Sequence, residues 1–298
     1  MLTPSETSYF SEPAAGLDPR LFRNGKLDTS IRQAVLQLVL NQLSTRYTAP
    51  EGWSRAWIAG SGVSYQWAAQ RDPGDLDCLI GVDFPRFRQS NANFARLSDK
   101  EIASMINDEF REELHPRTEL FLGAFELTFY VNAGATDIRA IKPYAAYSLT
   151  DDNWTVPPSP MTPETDPSWE AATERDRLGA IDVLTRYISA KNLFESATNE
   201  AVKANARSQM RVAMSQGVTL YDTIHKERSN AFSLEGSGYA DYNNYRWQAG
   251  KRSGVVQAMR DIKNQMQKED AEFAQKTYGG SLDDPQTLIR RAATAKNY

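Results

Sequence analysis

Hydrophobic positions follow two different spacings along this chain, and the spacing changes near residue 168. Before that point, short apolar runs bounded by glycine, proline and asparagine predict strands, with helical spacing between them. After it, apolar residues recur every third or fourth position almost throughout. We therefore expect an α/β (α+β) protein in which a small mixed sheet, backed by helices, precedes a helical C-terminal lobe.

The first part of the chain predicts helix, strand, helix, strand, helix and a hairpin, in that order. Asp28 caps the first helix, and Ser98 with Glu101 forms a capping box for the third. A turn at 132–135 would close the hairpin. The predicted ranges are 31–47, 53–59, 63–70, 75–82, 98–115, 119–131 and 136–142.

The later part of the chain predicts long helices at 169–194, 199–224 and 243–276, and a short one from Asp283. The proline-rich stretch before them has little periodicity and is expected to be an irregular connection. The expected organisation is an N-terminal extension (1–26), a core (27–145), a connection (146–167) and a helical domain (168–298).

An acidic pair lies inside one of the most apolar predicted strands. Asp75 and Asp77 alternate with Leu76 and Cys78, so both carboxylates project from one face of the strand. Buried acids are costly unless a cation is held between them, and hard divalent cations such as Mg²⁺ prefer oxygen ligands. Exposure of both acids to solvent would be the simpler alternative.

A third carboxylate could come from either of two neighbouring stretches. Asp137 begins the apolar run 136–142, and Glu126 lies in the middle of the preceding strand. Either side chain could face the pair, Glu126 as a direct ligand or as a partner of one. Three convergent carboxylates can hold two metal ions, the usual arrangement for in-line attack on phosphorus. Arg139 shares a strand face with Asp137 and is expected to form a salt bridge.

Gly60 and Ser61 end an apolar run and precede a stretch with helical spacing. A glycine-led helix N-terminus offers backbone N–H groups to a phosphate, although a simple helix cap would use the same residue types.

These motifs together resemble the nucleotidyltransferase superfamily typified by DNA polymerase β. Its pattern is a hydrophobic strand, Gly-Ser, a short helix, Asp-x-Asp and a later acidic strand, which residues 31–143 follow through Gly60-Ser61, Asp75-Leu-Asp77 and Asp137-Ile-Arg. The resemblance implies transfer of a nucleoside monophosphate group from an NTP to an acceptor hydroxyl, with release of pyrophosphate.

The resemblance also implies roles for these residues. Asp75 and Asp77 would bind both of two Mg²⁺ ions or only the one that accompanies the nucleotide, and Mn²⁺ can substitute. Asp137 would bind the second ion and help deprotonate the acceptor. Gly60 and Ser61 would hold the β- and γ-phosphates.

In the resembled family a helical domain supplies a lysine or arginine to the triphosphate and an aromatic residue to the base. Arg246 or Lys251, with Tyr242, would fill these roles here, and Lys191 on an earlier helix is the alternative. A packing seam between helices explains the same polar and aromatic residues equally well.

The composition indicates the expected cellular location but does not identify the acceptor. The net charge is −4 and Cys78 is the single cysteine, so a reducing, cytoplasmic location without disulfides is expected. Neither a signal peptide nor a membrane span is expected. The acceptor could be RNA, a protein, a small molecule or a second nucleotide, and the charge argues against long RNA. An inactive nucleotide-binding or protein-interaction module on the same fold is the non-enzymatic alternative.

Overall fold

The computed structural model describes residue 2, residues 13–67 and residues 73–278. Two compact units are present: a sheet unit, containing residues 13–67, 73–173 and 224–252, and a helical unit of 174–223 and 253–278, to which residue 2 also belongs. The mixed α/β class predicted from the sequence is confirmed, as is the helical character of the later part of the chain. Among the described helices, none combines the length and the apolar character that a membrane span requires.

The sheet unit contains a small N-terminal hairpin and a five-stranded sheet. The hairpin pairs β1 (Phe22–Arg23) with β2 (Lys26–Leu27). The large sheet has the order β5-β4-β3-β6-β7, in which β4 and β5 are parallel and every other neighbouring pair is antiparallel. Its strands are β3 (Ser54–Ala59), β4 (Gly74–Val82), β5 (Phe125–Val131), β6 (Ala146–Ser148) and β7 (Asn153–Val156).

One face of this sheet carries the main hydrophobic core. Leu76, Cys78 and Ile80 of β4 lie in one apolar cluster with residues of the helices α1 (Thr29–Ser44), α2 (Phe84–Ser90) and α3 (Asp99–Glu109). The four-residue spacing that predicted α1 is confirmed, because Ile31, Val35, Val39 and Leu43 are all buried. The capping box of α3 also forms as predicted.

The opposite face of the sheet, which we call the acid face because Asp75 and Asp77 project from it, is covered differently. The segment Ile138–Ile141 forms a 3₁₀ turn that packs Ile138 and Ile141 against Trp57 and Leu79. The prediction of a strand over 136–142, and with it the hairpin, is therefore wrong. The apolar residues Ile138, Ala140 and Ile141 suit a tight turn lying on a sheet as well as they suit a short buried strand.

Two other sequence predictions also need correction. Only a 3₁₀ turn, Ser61–Val63, forms where a helix over 63–70 was expected, and residues 64–67 are not helical; the rest of that range lies outside the described residues. The expected irregular connection begins with two strands, β6 and β7, which extend the sheet beyond β3.

The long helices are α4 (Pro167–Ser196), α5 (Glu200–Ala231), α6 (Tyr242–Arg252) and α7 (Val255–Tyr278). The single helix expected over 243–276 is broken at Gly254, whose φ of +82° is left-handed. Within the helical unit, Gly217 of α5 allows close approach of Val183 and Ile262, and Lys263 Nζ lies 2.6 Å from Asp222 Oδ1. The short helix expected from Asp283 lies outside the described residues.

Candidate functional site

Asp75 and Asp77 lie together on the acid face of β4, as the alternation predicted. The strand pairing brings the Gly-Ser loop directly to them, because Ala59 at the end of β3 is opposite Asp77. Gly60 has φ +92° and ψ −163°, a conformation open essentially only to glycine. A Cβ atom built on Gly60 would lie 2.9 Å from Asp77 Oδ2, so this glycine makes room for the carboxylate.

The next glycine of the loop is held equally closely. A Cβ atom on Gly62 would lie 2.4 Å from the backbone oxygen of Asp75. Ser61 lies between the two glycines at the wall of the pocket, and its carbonyl accepts hydrogen bonds from the backbone and hydroxyl of Ser64, both at 3.0 Å. Because the loop continues into a 3₁₀ turn, the expected helix N-terminus is not formed here. Any contact with a phosphate would depend on close backbone approach at the glycines.

Asp77 is the acid most perturbed by its surroundings. Burial and the neighbouring charge of Asp75 raise the pKa of Asp77 to about 6, and the charges of Arg228 and Lys251 oppose this shift. Thr128 Oγ1 donates a hydrogen bond of 3.1 Å to Asp77 Oδ1 from the paired position on β5. Two crowded carboxylates with cations opposite them form a donor set that favours an additional bound cation.

The cations reach this face from the C-terminal helices. The final turns of α5 carry Arg228, and the end of α6 carries Lys251; both line a pocket of about 610 Å³ with the acids. The Arg228 guanidinium carbon lies 5.1 Å from the ring centroid of Trp247 and 5.7 Å from that of Phe232. These aromatic faces fix the direction of the guanidinium.

The loop between α5 and α6 is anchored to Lys142, at the end of the 3₁₀ turn that lies on the acid face. Lys142 Nζ donates to the Gly236 oxygen at 2.7 Å, and Tyr239 N donates to the Lys142 oxygen at 3.1 Å. Gly238 has φ +65°, and a Cβ atom there would lie 2.2 Å from the same oxygen. This anchor holds α6 beside the acid face and so places Lys251 there.

Asp137 is not brought to the acidic pair. The carbonyl of Thr136 lies against Gly81, where a Cβ atom would be 2.3 Å away, and Gly81 is four residues beyond Asp77 on β4. That separation corresponds to roughly 13 Å along the strand. The Asp137 side chain is 44% exposed and forms a salt bridge with Arg139, as expected for that pair. Hydrogen bonds from Arg139 lower the pKa of Asp137.

Glu126, the alternative third carboxylate, lies closer to the pair. It is opposite Asp75 in the parallel register of β4 and β5 and therefore projects from the same face. His115 Nε2 lies 3.7 Å from Glu126 Oε1, and Glu126 is not part of the pocket wall. Within the described residues, no group of three or more His, Cys, Asp or Glu side chains is arranged to hold a metal ion.

The remaining predicted nucleotide-binding residues separate into two groups. Lys251 is at the pocket, whereas Arg246 forms an ion pair with Glu227, and the Tyr242 ring packs against Trp169 with centroids 5.6 Å apart. Neither Arg246 nor Tyr242 lines the pocket. Lys191 lies 3.9 Å from Glu195 of its own helix.

Several pocket residues were not identified from the sequence. Arg228 was missed because the helix carrying it was predicted to end at residue 224, although the four-residue step from buried Ile224 continues the helical spacing. The N-terminal extension also contributes to the pocket, because Leu21 is fully buried and Asp18 pairs with Arg20 at 2.7 Å within the pocket wall. Nothing local in the sequence connects residues 18–20 with Asp75.

Comparison of the chain with protein-family models, with curated proteins and with solved structures finds no match in any of the three. The chemistry of the pocket is therefore inferred from the geometry of its residues alone. Two carboxylates, a glycine loop in contact with one of them, and cations from α5 and α6 line a pocket of the size that takes a small ligand. Adjacent acids and bases of this kind suit a polyanion bound together with a divalent cation.

Proposed function

We propose that the pocket binds a nucleoside triphosphate with a divalent cation and that the protein transfers the nucleoside monophosphate group to an acceptor hydroxyl. The observation that carries this proposal is the contact of Gly60 with the Asp75–Asp77 pair, opposite Arg228 and Lys251. Acids alone would repel a triphosphate, and cations alone would not need a pair of half-buried carboxylates beside them. Their combination favours a phosphate chain that arrives with a metal ion.

Asp75 and Asp77 would hold the cation that accompanies the nucleotide. Mg²⁺ is commonly bound in proteins by one or two carboxylates, with phosphate and water oxygens completing its shell, so the pair is sufficient for one ion. When bound, the ion would supply charge neutralisation at the phosphate oxygens. A second ion, implied by the resemblance, would need a further carboxylate, and Glu126 is better placed for this than Asp137.

Arg228 and Lys251 would neutralise the phosphates from the opposite side. Arg228 is held between Trp247 and Phe232, so little side-chain freedom would be lost on binding a phosphate. Gly60 and Gly62 allow the backbone of the loop to come close to the ligand. Catalysis by such residues is chiefly positioning and neutralisation of charge.

In the proposed reaction, the acceptor hydroxyl oxygen forms a bond to the α-phosphorus. The bond from that phosphorus to the oxygen bridging to the β-phosphate breaks, pyrophosphate leaves, and the hydroxyl proton goes to solvent or to a nearby carboxylate. The products are the nucleotidylated acceptor and pyrophosphate, so atoms and charge balance without a further reactant.

Nucleotide binding without turnover is the second candidate. It is favoured by one observation, that the acidic pair lacks a third convergent carboxylate among the described residues. Mass spectrometry of the products formed from the four NTPs with Mg²⁺ distinguishes the candidates, since only the enzyme releases pyrophosphate.

The test of the site compares Asp77 with Asp137, which the sequence predicted to be metal ligands of the same site. Asp77→Asn is expected to weaken Mg²⁺-dependent ATP binding at least about tenfold in a calorimetric titration, because it removes a charged ligand. Asp137→Asn is the matched control and should leave the affinity unchanged. Equal affinity of wild type and Asp77→Asn for Mg²⁺-ATP, or equal losses in both variants, would reject the site.

A further inference from the structure

The pocket continues beyond the acids to a wall formed by one side of α3 and of the π-helical turn Phe110–Leu114 that follows it, which together we call the α3 wall. Lys100, Ser104, Asn107 and Arg111 recur at three- and four-residue steps and all line the pocket. On a helix, this spacing places them along one stripe, with about 16 Å between its two cationic ends. None of these residues contributes to the acidic site described above.

The stripe lies past the acids along the parallel strands. Asn107 binds both backbone groups of Val131, through bonds of 2.6 Å and 2.9 Å, and so fixes α3 to the end of β5. Val131 is three residues beyond Thr128, which is paired with Asp77. The α3 wall therefore begins about 10 Å from the level of Asp77.

The cations of this wall are available to a ligand. Both carboxylates beside Lys100 are engaged elsewhere, because Asp99 pairs with Arg88 and Glu101 accepts from Ser98. Arg111 donates from Nη2 to Asp108 at 2.6 Å, yet its side chain is 67% exposed, which leaves other donors of the guanidinium facing outward. Hydrogen-bonding groups between two cations suit an anionic group.

We propose that the α3 wall binds the acceptor, and that this acceptor is a small molecule carrying a phosphate group as well as the reacting hydroxyl. This inference rests on the proposed function. The acids and the α3 wall line one pocket of about 610 Å³, and Lys100 and Arg111 contribute long side chains to its wall. A hydroxyl near Asp77 and a phosphate at α3 therefore fit within one molecule the size of a sugar phosphate.

A small acceptor agrees better with this pocket than a polymer does. The pocket volume of about 610 Å³ lies within the range for small ligands. Single-stranded nucleic acid is usually held by a long basic track, whereas the two cationic ends of the α3 wall are only about 16 Å apart. The net charge of −4 also disfavours a long polyanion.

The test uses ribose 5-phosphate as the probe and ribose as its matched control without phosphate. Both are titrated by NMR into the full chain saturated with Mg²⁺ and a non-hydrolysable ATP analogue. Ribose 5-phosphate should bind at least about tenfold more tightly than ribose in the wild type. Lys100→Glu should remove this preference, and Arg96→Glu, which reverses a charge in the loop before α3 but outside the pocket, should retain it.

Arg111→Gln is a second variant and should also reduce the preference, although it removes the ion pair with Asp108. Lys100 is exposed and has no such partner in its two flanking acids, so Lys100→Ala serves as the variant that keeps the fold. Equal binding of both probes to the wild type, or a preference that survives Lys100→Glu, would overturn the inference. Loss of RNA oligonucleotide binding in Lys100→Glu, with sugar phosphate binding unchanged, would overturn it in favour of a polymer.

The affinity of the ATP analogue, measured in the same samples, separates this inference from the function on which it rests. Unchanged analogue binding in Lys100→Glu, with loss of the phosphate preference, supports both. Absence of any Mg²⁺-dependent analogue binding in the wild type rejects the proposed function and with it the acceptor role of the α3 wall, and a phosphate preference that remains without the analogue would then show an anion site only.

Discussion

Gly60 and Asp77 are in contact because β3 and β4 pair in a register that ends at Ala59 and Asp77. The chain must leave β3 with a positive φ at this point and must leave space for a carboxylate. Both demands exclude a side chain at residue 60. At the scale of single residues, a glycine at position 60 is therefore required by the Asp77 carboxylate as well as by the backbone conformation of the loop.

Replacement of Gly60 by alanine should weaken nucleotide binding as well as stability. The strained backbone is expected to cost about 1–3 kcal/mol in the free energy of unfolding, and the new Cβ atom displaces the Asp77 carboxylate. The measurements are urea denaturation and Mg²⁺-ATP titration.

Gly123→Ala is the control for that variant. Gly123 also has a positive φ, +70°, but a Cβ atom there meets nothing within 4 Å. It should lower stability and leave the ATP affinity unchanged. If Gly60→Ala binds Mg²⁺-ATP like Gly123→Ala, the contact with Asp77 has no role in binding.

At the scale of elements, Asn107 connects α3 to the edge strand β5. Its amide donates to the Val131 oxygen and its carbonyl accepts from the Val131 amide, as a neighbouring strand would. Neither helix spacing nor strand alternation reveals such a contact, because the residues are 24 positions apart.

Asn107→Ala should lower the free energy of unfolding by about 1–3 kcal/mol, because it leaves both backbone groups of Val131 without these partners. The Val131 amide should also exchange its hydrogen faster. Asn41→Ala, which removes an exposed bond to Gln37 on α1, should cost less than about 0.5 kcal/mol. Similar losses in the two variants would contradict a structural role for this amide.

The segment 136–142 shows how an element can be predicted wrongly from a correct observation. Its apolar residues are buried, as the pattern indicates, since Ile138 and Ile141 pack on Trp57. Their step of three residues is a 3₁₀ repeat, which the short run did not separate from a strand. The wrong strand prediction also affected the predicted site, because Asp137 would have come close to the acidic pair only if 136–142 formed a strand.

At the scale of the whole molecule, the sheet unit is built around a large apolar cluster, and we expect its stability not to require a metal ion. Its largest cluster is hydrophobic, and the described residues form no three-ligand metal group. The divalent cation is thus expected to act through the nucleotide.

Chelation should therefore affect only the nucleotide complex. Mg²⁺-ATP at about 100 times its dissociation constant should stabilise the protein by about 2.7 kcal/mol, seen as a higher midpoint of thermal unfolding. EDTA should abolish this increase and leave the midpoint of the nucleotide-free protein unchanged. A lower midpoint with EDTA alone would indicate a structural metal instead.

The sequence by itself determined the class of the fold, the positions of most helices, and the common face of Asp75 and Asp77. These features depend on local rules, namely the spacing of apolar residues, the capping groups and the two-residue alternation of a strand. The glycine loop and the acids were also joined correctly, since they are neighbouring elements of the chain.

Only the tertiary structure decided which distant residues meet the acids. It excluded Asp137 by roughly 13 Å of strand, placed Glu126 beside Asp75, and brought Arg228, Lys251 and the α3 wall to the same pocket. Contacts of this kind depend on the order of the strands, on their register and on where a loop is anchored. These are fixed by packing among elements far apart in the chain, which no local pattern encodes.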